Sequence, residues 1–220
     1  MLIQGFKVKR GERVILEDFG IEVVRGVNLV IGPNGSGKTT LLRSIVGALG
    51  NLRSRVPESK GYVPSEFFSP EMKVVDVLLS GSRRNLEEYY RFAELLGVQH
   101  MLDRTFSALS TGEKKLVLIV KALSEGDLVI MDEPMSGLDV RNQKRVLDSL
   151  TELKGLKTFM ISTHELYMVS RSDWVIVMKA GRTIYQGEPR NLHERVLEET
   201  YGTKIKRVDL GDRWTFIPDL

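Results

Sequence analysis

Nine consecutive residues, Gly32-Pro33-Asn34-Gly35-Ser36-Gly37-Lys38-Thr39-Thr40, satisfy the pattern G-x-x-x-x-G-K-[ST] at every fixed position. The chemistry such a run can do is phosphate binding. Its glycines let successive backbone N–H groups turn inward around a phosphate chain. Lys38 brings a cation to the β- and γ-phosphates, and the Thr39 hydroxyl is placed to ligate Mg²⁺. By itself the pattern also fits a glycine-rich turn that binds nothing. The flanks favour the phosphate reading. Val27 to Ile31 has the composition of a buried strand, and Thr40 to Val46 opens a helix. The positive end of that helix adds to an anion site.

A second group of candidates lies downstream. Asp132 and Glu133 follow the apolar run Leu128-Val129-Ile130-Met131, which reads as a strand covered on both faces. Asp132 is suited to hold Mg²⁺ through water, and Glu133 to polarise an attacking water. Alone, the pair equally fits a strand that ends in solvent-facing acids. His164 stands at the end of the apolar run Thr158 to Ile161, where an isolated histidine is usually structural. Ser110, with Glu113 three residues later, fits a helix N-cap with a capping box, a role that does not exclude phosphate binding.

The elements that must position these residues follow from periodicity. Residues 2–31 are strand-rich, with short runs at Val14 to Leu16, Ile21 to Val24 and Leu29 to Ile31 separated by Gly11, Gly20 and Gly26. Leu41, Leu42, Ile45, Val46 and Leu49 fall at helical spacing, so a helix is expected to stop near Gly50-Asn51. From Ser65 to Leu109 the texture is helical. Glu87 to Leu96 carries Tyr90, Phe92, Ala93, Leu95 and Leu96 as its apolar residues, with Gly97 as the stop. Lys115 to Leu123 and Arg141 to Leu153 are further helices, the second with Val146, Leu147, Leu150 and Leu153 inward. Trp174 to Met178 is another buried strand. Alternating strands and helices predict an α/β fold with a mostly parallel core sheet, an antiparallel N-terminal β lobe and an inserted helical lobe.

Bulk properties narrow the classes. The chain has 220 residues, enough for one large domain, with 42% hydrophobic and 28% charged residues. There are no cysteines, which excludes disulfides, thiolate metal sites and cysteine nucleophiles. A net charge of +3 is too mild to point to nucleic acid, and no nucleic-acid partner is expected. No apolar run reaches the roughly 18 residues needed to cross a bilayer, so any membrane role is expected to come through a partner. The first residues show no signal-peptide order of charge, apolar run and cleavage site.

Taken together, Leu109-Ser110-Thr111-Gly112-Glu113, Asp132-Glu133, Ser136-Gly137-Leu138-Asp139 and Ser162-Thr163-His164-Glu165 follow the phosphate loop in fixed order. In order and spacing the set resembles the nucleotide-binding subunits of ATP-binding cassette (ABC) transporters, over essentially the whole chain. The resemblance implies a P-loop ATPase of one domain, residues 1–220, with a helical lobe at 65–114 and a C-terminal extension at 190–220. It implies that two such subunits sandwich two ATP molecules head to tail. Ser110 and Gly112 would then contact the γ-phosphate held by the opposite subunit. His164 would hold the γ-phosphate and help orient water, and Asp139 would link the two sites. Lys38, Glu133 and His164 are the implied catalytic residues; ATP and Mg²⁺ are the implied ligands, with Thr39, Asp132 and Ser65 toward the metal. The partners would be a second nucleotide-binding subunit and integral-membrane subunits, at the cytoplasmic face of the cell membrane.

Three positions depart from the family pattern. Ser65 follows Gly61-Tyr62-Val63-Pro64 where a Gln is usual, so its reach to Mg²⁺ requires a water. Thr111 replaces a Gly of the signature segment. Arg10 occupies the place of the aromatic that stacks on adenine, and its guanidinium plane can serve instead, with Phe6 as a lesser substitute. Lys38 and Ser110 are only 72 residues apart (110 − 38), which implies a trimmed helical lobe. Leu138 to Gln143, Glu94 to His100 and Glu199-Thr200-Tyr201-Gly202 with Ile205 to Pro218 resemble importer subunits for metal chelates, siderophores or cobalamin. A soluble ABC ATPase of the cluster-assembly type and a weakly hydrolysing nucleotide sensor are the alternatives.

Overall fold

The computed structural model describes residues 1–220 except 6, 11, 18, 50, 51, 54, 55, 83, 212 and 220, and the side chain of Arg10. The chain forms two compact units, residues 1–56 with 158–220, and residues 57–157.

In the first unit, β5 (Gly26–Ile31) is buried along its whole length and is the axis of the sheet. It pairs in parallel with β8 (Thr158–Ser162) on one side and β9 (Trp174–Lys179) on the other. Its residues are apolar, as a strand with two neighbours and two covered faces requires, except for Asn28, whose buried side-chain amide donates to Val24 O at 2.8 Å and Phe159 O at 3.0 Å. β10 (Arg182–Gly187) adds antiparallel to β9, with a register shift between Thr183 and Tyr185. The N-terminal strands form antiparallel pairs, as their glycine-punctuated pattern predicts: β1 (Leu2–Gly5) with β4 (Phe19–Glu22), and β2 (Val8–Arg10) with β3 (Arg13–Leu16). Near the C-terminus, α6 (Glu194–Tyr201) leads to an antiparallel pair, β11 (Ile205–Asp209) with β12 (Trp214–Pro218). Arg207 stacks over the Trp214 ring at 4.1 Å.

Helix α1 (Lys38–Val46) ends earlier than the sequence spacing suggests. Gly47, at φ 94°, takes the left-handed cap conformation, and its N–H donates to the carbonyls of Arg43 and Ser44. Leu49 is exposed and lies beyond the helix. Gly50 and Asn51 lie outside the described residues.

The second unit holds the parallel pair β6 (Lys60–Val63) and β7 (Leu128–Asp132) with four helices: α2 (Val74–Leu79), α3 (Leu86–Leu95), α4 (Thr111–Glu125) and α5 (Val140–Leu153). Helix α4 crosses directly over β6. A methyl group on Gly61 would sit 1.9 Å from the Ala122 carbonyl oxygen, so only glycine permits this approach. In α3 the inward face differs from the expected one. Tyr89, Phe92, Ala93 and Leu96 are buried at spacing i, i+3, i+4, i+7, whereas Tyr90 is 47% exposed. The Tyr89 hydroxyl hydrogen-bonds to Ser82 and, at 3.1 Å, to Glu125, which satisfies its polar end inside the core. Among the described residues, no helix is long and apolar enough to cross a membrane.

Candidate nucleotide site

The phosphate loop leaves β5 and enters α1 within the first unit. Gly32 has φ 152°, Gly35 φ 75° and Gly37 φ 105°, so the three glycines supply a turn that side-chained residues adopt only with strain. Gly32 is also sterically required. A methyl group there would lie 2.2 Å from the Met178 carbonyl oxygen of β9 and 2.9 Å from Ser36 Oγ. The loop closes on itself through Ser36 N–H to Pro33 O at 3.1 Å. It is tied to the turn after β9 by Gly181 N–H to Ser36 O at 2.9 Å. No side chain caps the N-terminus of α1, so its first amide groups are available to an anion. Lys38, buried on the first turn of α1, donates from Nζ to Gly32 O at 2.8 Å and to Pro33 O at 3.3 Å. Asn34 and Gly35 are exposed, Thr39 and Thr40 half-buried.

β8 brings His164 to the same end of this sheet. Val30 pairs with Ser162, and Thr163 N–H donates to Val30 O at 3.1 Å. His164, one residue further, is therefore exposed beside the mouth of the phosphate loop, at the carboxyl ends of two adjacent parallel strands. Thr163 Oγ1 accepts from Glu165 N–H at 3.0 Å and fixes the turn after the strand.

The second unit gathers its own set at the carboxyl ends of β6 and β7. Val63 pairs with Met131, so Ser65, two residues past Val63, and the pair Asp132-Glu133 issue from the same strand ends. Asp132 is fully buried. Glu133 is half-buried and has φ 52°, a left-handed conformation that a non-glycine residue adopts at a cost of roughly 1–2 kcal/mol.

Ser110 is the N-cap of α4. Its hydroxyl accepts from Glu113 N–H at 3.2 Å, and its own N–H donates to Glu113 Oε2 at 2.8 Å, which completes the capping box read from the sequence. That backbone hydrogen bond from Ser110, helped by its hydroxyl and by Arg104, holds the Glu113 carboxyl below the usual glutamate range. Asp139 caps α5 in turn, accepting from Asn142 N–H at 2.8 Å. The start of α4 lies against the segment before α5. A methyl group on Gly112 would meet Gly137 O at 3.1 Å, and one on Gly137 would lie 3.7 Å from Thr111 Cγ2.

Sequence reasoning missed Lys115. It falls on the buried face of α4, one turn before Ile119, and is 3% exposed. Its Nζ donates to Glu133 O at 3.0 Å and Ser136 O at 2.9 Å. Burial pushes this ammonium below the usual lysine range, against the opposing pull of the Glu133 and Asp132 carboxylates. A cation on the apolar side of an amphipathic helix was the available signal. Arg10 ends β2, but its side chain, like the whole of Phe6, lies outside the described residues, so the adenine contact stays an expectation.

The family model for ABC transporter matches residues 16–136, which run from the end of β3 past Glu133. The chain belongs to the ABC transporter family. It is an ABC ATPase and binds ATP. Similar proteins include the zinc import ATP-binding protein ZnuC of Halorhodospira halophila, 35% identical over 87% of this chain and 78% of that protein. An uncharacterized ABC transporter ATP-binding protein of Methanocaldococcus jannaschii is 34% identical over 90% of this chain and 82% of its own. Among solved structures, an ATP-binding cassette in its ADP conformation superimposes with a TM-score of 0.73 at 29% identity, covering 92% of this chain and 98% of that one. A chain of a transporter suggested to be of metal-chelate type, in an inward-facing conformation, covers 100% of this ABC ATPase and 97% of itself, with a TM-score of 0.82 at 25% identity.

Proposed function

We propose that this ABC ATPase hydrolyses ATP in a head-to-tail dimer and thereby drives membrane-spanning partner subunits at the cytoplasmic face of the cell membrane. The observation that carries the reading is Glu133, held directly after Asp132 in a strained turn at the end of β7. Phosphoryl transfer to water is mostly a matter of positioning and charge neutralisation, so a well-placed carboxylate beside the attacking water is what a hydrolase adds to a binding site.

The residues fit the ligands. Ser36 Oγ is buried next to Gly32 and has no hydrogen-bond partner among the described residues, as a hydroxyl that donates to a phosphate oxygen would be. The backbone of Gly32 to Thr40, with Pro33, Asn34, Gly35, Ser36 and Gly37 between, would cradle the phosphates, and Lys38 would turn to their oxygens. The hydroxyl of Thr39 and the carboxylate of Asp132 are hard oxygen donors that suit Mg²⁺, with Ser65 reaching it through water. When bound, that ion would neutralise charge on the β- and γ-oxygens. Glu133 would accept a proton from the attacking water, and His164 would hold the γ-phosphate. Arg10 would stack on adenine. Ser110 and Gly112 would meet the γ-phosphate of the opposite subunit, at the positive end of α4, and Asp139 would bridge the two sites.

For cargo, the similarity to a zinc import protein and to a transporter of suggested metal-chelate type supports import of a metal ion or its chelate. Phosphate release from MgATP tests the enzyme reading: the wild-type protein turns over, and Glu133→Gln binds ATP without releasing phosphate. Equal rates in the two proteins would remove Glu133 from the mechanism. A dimer by light scattering that forms with ATP only in Glu133→Gln tests the sandwich. Wild-type protein that binds MgATP and never releases phosphate would be a nucleotide sensor instead.

A further inference from the structure

We propose that Lys115 is a positioning residue for hydrolysis: it fixes the turn that presents Glu133 and ties it to the segment leading to Asp139. The inference rests on the role assigned to Glu133 above. Glu133 and Ala180 are the only non-glycine residues with positive φ among the described ones. Such a conformation persists only where its surroundings over-determine it. Here the surroundings are specific. Glu133 O accepts from Ser136 N–H at 3.3 Å, which closes the turn, and the Lys115 ammonium holds the carbonyls at both of its ends.

The lysine is the fifth residue of α4, and the same helix begins at the segment proposed to touch the partner's ATP. Gly112 lies close to Gly137, and Leu138 Cδ2 would be 3.5 Å from a methyl group on Gly112. One side chain thus joins three features within the second unit: the start of α4, the Glu133 turn and the segment capped by Asp139. A shift of α4 caused by contact with the partner's nucleotide would be passed to Glu133 through a pair of hydrogen bonds rather than through loose packing. This gives each subunit a route by which occupancy at its signature segment sets the carboxylate for its own ATP.

The test replaces the donor while keeping the length and apolar bulk of the side chain. Lys115→Met is expected to lower kcat about tenfold or more while KM and the affinity for a fluorescent ATP analogue stay within about twofold. Lys115→Gln, uncharged but still carrying two N–H donors, is expected to recover most of the loss. In the Glu133→Gln background, Lys115→Met should still bind the analogue with unchanged affinity, because the site that holds nucleotide is not altered. Should Lys115→Met fail to fold, Lys115→Ser, which leaves space for water at the two carbonyls, is expected to show the same loss of kcat. Wild-type kcat in Lys115→Met, or in Lys115→Ser where Lys115→Met does not fold, would overturn the proposal. So would a fall in analogue affinity equal to the fall in kcat. Absence of phosphate release from the wild-type protein would instead count against the hydrolysis reading itself.

Discussion

Two glycines of one loop allow conformation and contact to be separated. Gly32 and Gly35 both have positive φ, so alanine at either position meets backbone strain. At Gly35 that is the whole effect, since nothing lies within 4 Å of the added methyl group. At Gly32 the methyl group also lands 2.2 Å from the backbone oxygen of Met178. Carbon and oxygen do not approach below about 3.3 Å even in weak hydrogen bonds, so the loop or β9 must move by about 1 Å. The expected cost for Gly35→Ala is about 1 kcal/mol, from φ alone. For Gly32→Ala it is about 3–5 kcal/mol, strain plus overpacking against a backbone that cannot rotate away. For a chain of this length each kcal/mol lowers Tm by roughly 2–4 °C. Thermal unfolding followed by circular dichroism should therefore place Gly35→Ala about 3 °C below wild type and Gly32→Ala about 10 °C below. Equal shifts would refute the reasoning, because they would mean that the approach of β9 to the phosphate loop does not constrain Gly32.

Further outcomes follow from the second unit. Tyr89→Ala should cost about 3–5 kcal/mol by chemical denaturation, whereas Tyr90→Ala should stay within about 0.5 kcal/mol; the reverse order would mean that α3 is rotated from the register described. Ser110→Ala removes the cap of α4 and should cost about 1 kcal/mol in the same measurement, and wild-type stability would show that the cap hydrogen bond contributes nothing. Glu113 has a folded-state pKa below the ordinary glutamate value, so its stabilisation is present above that value and lost as pH falls through the lower, folded one. Stability measured downward from about pH 5 should accordingly fall less steeply in Glu113→Gln than in the wild type, and parallel curves would contradict the capping box as the cause.

Much of the site is legible in the sequence because its residues act through backbone geometry that local residue types encode directly. The glycines of the phosphate loop, the buried run of β7 before Asp132, and Ser110 with Glu113 all specify a local conformation without help from distant parts of the chain. What is not legible depends on packing. Tyr89 and Tyr90 are adjacent and identical, and it is Tyr89 that turns inward with Phe92 and Ala93, where Ser82 and Glu125 meet its hydroxyl. Apolar spacing carries α1 on to Leu49, while Gly47 offers an earlier stop with left-handed geometry. The alternation of β10 is interrupted by a register shift and leaves Ile184 exposed, which hides the strand from a search for buried runs. Lys115 reads as one more polar residue on a helix, though its spacing from Ile119 sets it on the apolar face.

The position of β5 in the chain has a consequence for biosynthesis. Both of its sheet neighbours, β8 and β9, begin at residue 158 or later, so 126 residues separate the end of β5 from the first strand that can pair with it (158 − 31 − 1). At the usual rate of about 5–20 residues per second, a ribosome needs roughly 6–25 s to make that stretch. During this interval the strand of the first unit that is buried along its whole length has no hydrogen-bonded neighbour in its sheet, while residues 57–157 emerge as a continuous piece with their own partners. The nascent chain is then most exposed to aggregation at Val27 to Ile31, and the strand leading into the phosphate loop is secured only once β8 has been translated. A nascent ATPase of this design gains its nucleotide-binding loop late, when the segments that carry Ser110, Asp132, Glu133 and Asp139 have already been made.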